Sequence, residues 1–261
     1  MQSKVDVHGA TIAFHDSGQG RAILLVHGFP ATGHLWTHLA PVLTGLGFRT
    51  IIPDLVGYGA STADPGIAVD MESQARWMLG LFDAVNVKDA IVIAHDVGSA
   101  VAQLMLAKAP HRVRGLAILD GAYEREWAMD SIASIVAWDA AQAHRIHPVL
   151  VRRLGKAPQM LQMLSAYEGH EGGHRLIRAA RDLRPDQTAG CAEVLRAARK
   201  PALVIWGQND RYLPLDTVAR PLAEALGAPL VLVPGGHFSP IDCPDEVASA
   251  LQPFLQTFVS G

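Results

Sequence analysis

Short runs of apolar residues recur along the chain and are separated by longer amphipathic stretches. The runs occupy Ala22–His27, Thr50–Asp54, Ala90–Asp96, Gly115–Asp120, Ala202–Gly207 and Pro229–Pro234. Continuous β-branched runs of this length are typical of buried parallel strands. The stretches between them predict helices at Leu35–Leu46, Met71–Val85, Gly98–Ala109, Leu215–Leu226 and Asp245–Val259. The pattern therefore predicts an α/β fold, with a mostly parallel central sheet flanked by helices.

Two regions depart from this alternation. A hairpin of Val5–Val7 and Thr11–His15, turning at His8-Gly9, is predicted at the start of the chain. The stretch from Gly121 to Lys200 contains helical patches but no convincing strand. We therefore predict a core of residues 1–121 and 200–261, with residues 122–199 inserted as a helical cap. Such a cap should cover the carboxyl edge of the sheet, where open α/β sheets bind ligands.

Composition narrows the classes of function. The chain has 261 residues, 49% of them hydrophobic and 18% charged, as expected of a single globular core. A net charge of −3 gives no reason to expect nucleic acid or an anionic membrane as a partner. The first residues lack the apolar run of a signal peptide, and no stretch has the length of a membrane span. We expect a cytoplasmic protein that needs no metal or cofactor.

A candidate nucleophile follows the predicted strand at Ala90–Ala94. The segment Ala94-His95-Asp96-Val97-Gly98 places small residues two positions either side of Asp96, and a helix is predicted to begin directly afterwards. A nucleophile elbow needs this strand–turn–helix context and these small neighbours. Alternatively, Asp96 only caps the helix, as aspartate commonly does.

Three further motifs follow predicted strands in an order that favours the elbow. His27-Gly28-Phe29-Pro30 stands where a second oxyanion-hole amide is expected. Gly207-Gln208-Asn209-Asp210 ends a later strand with an acid, and Pro234-Gly235-Gly236-His237-Phe238 places a histidine after the last strand. The order nucleophile, acid, histidine is the one expected on the α/β-hydrolase fold.

With these motifs the chain resembles the α/β-hydrolase superfamily, and Asp54-Leu55-Val56-Gly57-Tyr58-Gly59 is a further matching segment. His-Asp-x-Gly at the elbow, together with His-Gly-Phe-Pro, resembles epoxide hydrolases and dehalogenases. In those families the aspartate attacks an electrophilic carbon and the resulting ester is hydrolysed. The resemblance implies that Asp96 is the nucleophile and His237 the base that activates water. It also implies that Phe29 and Val97 are the amide donors.

The acid that supports the histidine has two candidates. Asp210 occupies the usual position, after the strand that follows the predicted cap. Asp120 ends the strand before the cap, where some dehalogenases carry theirs. We favour Asp210, because its motif is the commoner arrangement on this fold.

Differences between this chain and the motifs of each family indicate which electrophilic group the substrate carries. Haloalkane dehalogenases usually carry tryptophan directly after the nucleophile, where this chain has Val97. Haloacetate dehalogenases place arginines where this chain has Val97 and Ala100. Epoxide hydrolases need a cap tyrosine to protonate the opening ring, for which Tyr167 is preferred to Tyr123.

We therefore predict an epoxide hydrolase first and a dehalogenase second, with an ester or lactone hydrolase and a non-catalytic binding protein as further alternatives. The expected substrate is small and largely apolar, and a homodimer is left open. Residues expected to contact the substrate are His27, Trp36, His95, Trp138, Tyr167 and Phe238.

Two other features of the sequence, a zinc-protease-like motif and a cluster of basic residues, do not predict a functional site. The string His170-Glu171-Gly172-Gly173-His174 matches a zinc-protease motif, which works only on a helix. Two adjacent glycines make a helix doubtful there, so no zinc site is expected. The arginines and histidines of the predicted cap are expected to form a solvated face, with Glu168 and Glu171 as partners.

Overall fold

The computed structural model describes residues 2–155 and 157–259. A nine-stranded sheet forms its centre, with the strands β1 (Gln2–Val7), β2 (Ala10–Ser17), β3 (Ala22–Val26), β4 (Arg49–Pro53), β5 (Thr62–Ala63), β6 (Ala90–His95), β7 (Val113–Leu119), β8 (Ala202–Gly207) and β9 (Leu230–Val233). The strand order is β1-β2-β4-β3-β6-β7-β8-β9, with the short β5 paired to β2. Strands β4 to β9 along this order run parallel, whereas β1 and β2 are antiparallel. The predicted hairpin and parallel sheet are confirmed.

Helices cover both faces of the sheet. They are α1 (Leu39–Gly45), α2 (Met71–Ala84), α3 (Gly98–Lys108), α4 (Met129–Ala137), α5 (Ile146–Leu154), α6 (Pro158–Leu164), α7 (Gly169–Arg181), α8 (Cys191–Ala198), α9 (Arg220–Leu226), α10 (Ser239–Asp242) and α11 (Pro244–Gln256). Every residue of β3 and β6 is buried, because these central strands have helices on both sides. Among the described residues, no helix is long and apolar enough to cross a membrane.

Two predicted helices are each divided in the structure. Leu35–Leu46 is a 3₁₀ turn at Gly33–Trp36 followed by α1, and the side chain of Thr32 accepts the amide of His34 at the start of that turn. Leu215–Leu226 is a π-helical turn at Leu215–Ala219 followed by α9. Pro221, which has no N–H to donate, lies in the first turn of α9, directly after the π-helical turn.

Helices α4 to α8 all lie between β7 and β8, within residues 122–199, which we call the insertion. The expectation that the adjacent glycines prevent a helix at His170–His174 was wrong, because this string lies in α7. A Cβ on Gly173 would lie 1.9 Å from the Ala143 carbonyl oxygen, so glycine is required for this close packing. His170 and His174 stack with ring centroids 6.4 Å apart, but no group of three metal-ligating side chains occurs in the described residues.

The basic side chains of the insertion are largely exposed, as expected: His144, Arg145, Arg152, Arg153 and Arg181 lie at the surface. Several basic side chains also donate to backbone carbonyls. Arg178 bonds the carbonyls of Asp64 and Ile67 in the core, and Arg181 bonds those of Val136 and Trp138. His147 is 3.7 Å from Glu168, the one expected pairing that the described residues contain. The bonds of Arg178 and Arg181 to carbonyls therefore join α7 to the core and to α4.

Candidate active site

The turn between β6 and α3 is a strained elbow centred on Asp96. Its φ of 53° lies in the left-handed region that non-glycine residues rarely adopt. Close backbone packing holds it, since a Cβ on Gly28 would lie 2.4 Å from Asp96 Cβ, and one on Gly98 would lie 2.5 Å from the His27 carbonyl oxygen. The helix-cap position belongs to Val97, so Asp96 stands one residue before it. The elbow geometry is therefore favoured over simple capping.

Three chain segments bring a carboxylate, an imidazole and a second carboxylate into line. Asp96 Oδ2 is 3.1 Å from His237 Nε2, and Asp210 Oδ2 is 2.9 Å from His237 Nδ1. Asp210 follows β8 and is fixed by the amides of Tyr212 and Leu213, which donate to its Oδ1 at 2.8 and 3.1 Å. His237 follows β9 in the loop before α10. This geometry is the one that a nucleophile, a base and an orienting acid require.

The two carboxyl groups of this trio shift the pKa of the imidazole. Burial opposes the charged form of His237, but the hydrogen bonds and charges of Asp210 and Asp96 outweigh it and hold its pKa well above the ordinary value. Burial likewise opposes ionisation of Asp210, and the hydrogen bond and charge of His237 overcome it, so the pKa of Asp210 is lowered. The two neighbouring carboxyl groups thus favour the protonated form of His237.

Asp120, the alternative acid, is placed away from the imidazole's hydrogen bonds. Its Oδ1 accepts the Gly207 amide at 2.6 Å and its Oδ2 accepts the Ser239 hydroxyl. Complete burial raises the pKa of Asp120 to about 7. Asp120 therefore ties the end of β7 to β8 and α10, and the acid in contact with His237 is Asp210.

The two predicted amide donors border the same carboxylate. The Val97 amide donates to Asp96 Oδ1. Phe29 lines the cleft beside Asp96, and its amide makes no hydrogen bond within residues 2–155 and 157–259. Both N–H groups are thus available where charge would develop on an acyl oxygen, although their role remains a prediction.

Two histidines expected to contact substrate instead hold the site together. His27 is fully buried, with Nδ1 donating to the Gly28 carbonyl and Nε2 accepting the Leu55 amide, both at 2.9 Å. His95 is also fully buried, and its Nε2 donates to the His237 carbonyl at 2.7 Å. Burial lowers the pKa of His95 to about 4, so its ring is neutral. Each ring fixes the backbone beside a predicted catalytic group.

Three further expected contacts lie outside the cleft, which corrects the sequence-based assignment. The Tyr167 hydroxyl is buried and donates to the Ala31 carbonyl at 3.0 Å. Trp36 is completely buried in the core. Trp138 is half-buried after α4 and lines no part of the cleft. Phe238 is the one predicted contact that lines it, edge-on to His237 with ring centroids 5.2 Å apart.

A cleft lies between the core and the insertion. Its core wall includes Phe29, Asp96, Val97, Tyr212, His237 and Phe238, and its insertion wall includes Trp127, Ala128, Met129, Ser131, Ile132, Ile135, Leu150, Arg153, Leu154 and Leu183. Twelve of the seventeen lining residues are apolar, which favours a largely apolar ligand. The contributions of Tyr212 and Arg153 were not predicted from the sequence. For Tyr212, the one sequence feature that could have indicated its place in the cleft is its position two residues after Asp210.

Comparison with known proteins agrees with this architecture. A family model described as alpha/beta hydrolase fold matches residues 21–146. A haloalkane dehalogenase of Mesorhizobium japonicum is 32% identical over 120 residues, which are 46% of this chain and 38% of that protein. Bifunctional epoxide hydrolase 2 of Sus scrofa is 34% identical over 113 residues, 43% of this chain and 20% of that protein. The chain thus spans well under half the length of these two relatives.

A third relative aligns over nearly the whole chain. Pyrrolizixenacetamide deacetylase of Xenorhabdus hominickii is 26% identical over 270 residues, 97% of each protein. Among solved structures, the haloalkane dehalogenase DbeA from Bradyrhizobium elkani superposes with a TM-score of 0.85 at 22% identity, covering 100% of this chain and 99% of that one. The chain is therefore a protein of the alpha/beta hydrolase fold, with hydrolases among its sequence relatives.

Proposed function

We propose that this protein is a hydrolase that forms an ester on Asp96, and that its substrate is an epoxide. The observation that carries the proposal is a carboxylate on a strained elbow, 3.1 Å from a histidine that is itself paired with a second acid. A carboxylate that attacks an ester or amide would give an anhydride as the intermediate. Forming this anhydride would make hydrolysis little easier than direct attack by water. A carboxylate that attacks a saturated carbon gives a stable ester, which activated water can then cleave.

In the first step, an Asp96 oxygen bonds to one ring carbon and the carbon–oxygen bond of the epoxide breaks. The electron pair goes to the epoxide oxygen, which needs a proton. Tyr212 is the candidate donor, because it lines the cleft, packs against His237 with ring centroids 5.1 Å apart, and makes no side-chain hydrogen bond among the described residues. Tyr212 takes the general-acid role that the sequence assigned to Tyr167.

Esterification removes the negative charge of Asp96, one of the two that hold the proton on His237. The pKa of His237 then falls, and its proton can replace the one that Tyr212 gave up. Neutral His237 next takes a proton from water, whose oxygen attacks the ester carbonyl. The amides of Val97 and Phe29 would bind the resulting oxyanion, and its collapse returns the Asp96 carboxylate, protonated His237 and a diol.

A carbon–halogen bond is the second candidate, supported by the dehalogenase relatives. The cleft favours it less, because a halide needs N–H donors at the point of departure. The indole of Trp127 already donates to the Glu124 carbonyl and the Thr188 hydroxyl, at 3.1 and 3.2 Å. The indole of Trp36 is completely buried and does not line the cleft.

The test is the intact mass of His237→Gln after exposure to epoxides, haloalkanes and activated esters, each separately. Without its base, the enzyme should form the ester but hydrolyse it slowly. We expect a gain equal to one whole epoxide, mapped to Asp96. His174→Gln, on an exposed histidine, is the matched control and should accumulate nothing.

Other outcomes separate the alternatives. A gain equal to an alkyl group, with halide released, would assign the site to dehalogenation. Esters that are still cleaved by Asp96→Asn, with no adduct on His237→Gln, would exclude Asp96 as a nucleophile.

A further inference from the structure

The insertion contributes one arginine to a largely apolar wall of the cleft. Arg153, on α5, lines the cleft together with Ile132, Ile135 and Leu150. Arg153 is exposed overall, so it stands at the solvent side of the cleft, whereas Asp96 and His237 lie at its inner end with little exposure. A ligand that reaches from the mouth to Asp96 must pass the aliphatic residues between them.

The guanidinium group is held in place but keeps most of its donors. Both Nη1 and Nη2 donate to the Ser131 carbonyl at 3.3 Å. An arginine has five N–H donors, so three are left for a ligand or water. The bond to Ser131 ties α5 to α4 and restricts where the guanidinium can lie.

The charge of Arg153 is not neutralised by a neighbour. No carboxylate of the described residues lies within 4.0 Å of it. Asp96 is the only acidic residue in the lining of the cleft, and its described ion pair is with His237. Arg178 and Arg181 also bond carbonyls, but unlike Arg153 they do not line the cleft.

We propose that Arg153 binds a carboxylate at the mouth of the cleft, so that the ligand is an apolar chain with an anionic end. A guanidinium fork matches a carboxylate in geometry and charge. A single arginine balances one negative charge, which favours a carboxylate over a phosphate dianion. The proposal extends the proposed function by naming the substrate class, an epoxide on an apolar chain that ends in a carboxylate.

The first experiment measures binding, and so does not depend on the reaction. Decanoate, decanol and decyl phosphate are titrated into the intact protein by calorimetry at low ionic strength. We expect decanoate to bind about three- to tenfold more tightly than decanol, a range suited to a partly exposed ion pair. Arg153→Gln should abolish this preference without changing decanol affinity, and Arg153→Lys should restore only part of it.

The adjacent Arg152 provides the matched control. It is exposed on the same helix but does not line the cleft, so Arg152→Gln should keep the full preference. Equal binding of decanoate and decanol, or a preference that survives Arg153→Gln, would overturn the proposal. Tighter binding of decyl phosphate than of decanoate would overturn the choice of carboxylate.

A second experiment separates this proposal from the proposed function. Turnover of a terminal epoxy fatty acid is compared with that of its methyl ester, and the acid should have the lower KM by the same factor. If the acid binds through Arg153 but neither compound is turned over, the epoxide assignment fails and the anion site stands.

Discussion

The core and the insertion are built by different means. In the core, β3 and β6 are wholly buried, and the three groups of the trio follow β6, β8 and β9 directly. In the insertion, the described residues form helices α4 to α8 and no strand of the central sheet, and arginine bonds to carbonyls join α7 to its surroundings. Strand ends in a buried sheet fix a side chain closely, whereas helices outside the sheet can vary without disturbing the core. We infer that the core carries the reaction and the insertion selects the substrate.

The tyrosines illustrate the same contrast. Tyr167 belongs to the insertion, yet its hydroxyl is used to bond the insertion to the core at Ala31. Tyr212 belongs to the core, two residues after Asp210, and it lines the cleft. The general acid of the proposed mechanism is therefore supplied by the core, next to the histidine whose proton can replace its own.

The largest effect should come from Asp96, the proposed nucleophile. Asp96→Asn should lower kcat by at least about 10³-fold for every substrate, because the ester cannot form at a useful rate. Steady-state kinetics with an epoxide and its carboxylated analogue will measure this. By contrast, Arg153→Gln should change only the ratio between the two substrates. If Asp96→Asn retained a tenth of the activity, the division between core and insertion would fail.

The next largest effect is expected for Asp120, the buried carboxyl group at the end of β7 that does not bond His237. Burial raises the pKa of Asp120 from 3.8 to about 7, so between these values the folded state binds more protons than the unfolded state. The free energy of unfolding should therefore fall as pH rises from about 4 to 7, by roughly 2–4 kcal/mol from this group. Asp120→Asn, compared with wild type by urea unfolding at pH 5 and pH 8, should remove this part of the decline. An unchanged decline would show that Asp120 ionises normally.

A smaller effect is expected at the proposed acid. Tyr212→Phe should lower kcat for epoxides by about 10- to 100-fold with little change in KM, because proton donation to the opening ring is lost. The loss should be smallest for epoxides whose alkoxides are weak bases. A kcat reduced by the same factor for every epoxide would instead indicate that the Tyr212 hydroxyl does not protonate the opening ring.

The smallest effect is predicted at Tyr167, which also serves as the control for Tyr212. Tyr167→Phe removes one buried hydrogen bond between insertion and core and should cost about 1 kcal/mol of unfolding free energy. Turnover should stay within about twofold of wild type. Urea unfolding and steady-state rates measure both quantities, and a large loss of kcat with normal stability would return the acid role to Tyr167.

Much of the core could be predicted because its signals are local. The strand at Ala90–His95, the small residues around Asp96 and the motif that ends at His237 are continuous segments whose pattern reflects burial and backbone geometry. The helix through Gly172 and Gly173 was not predicted, because its packing against Ala143 overrides the low helix propensity of glycine. The two-residue β5 was missed because its pairing with β2 is a long-range contact.

The sequence by itself determined the alternation of strands and helices, the place of the insertion and the elbow with its aspartate, since each depends on neighbouring residues. Only the tertiary structure decided between Asp210 and Asp120, because both follow strands and only one lies 2.9 Å from His237 Nδ1. The tertiary structure also showed that His27, His95 and Tyr167 bond backbone groups and do not line the cleft. It further showed that Arg153 does line the cleft. Which side chain meets a cavity depends on how helices pack across the sheet edge, and no short stretch of sequence records that packing.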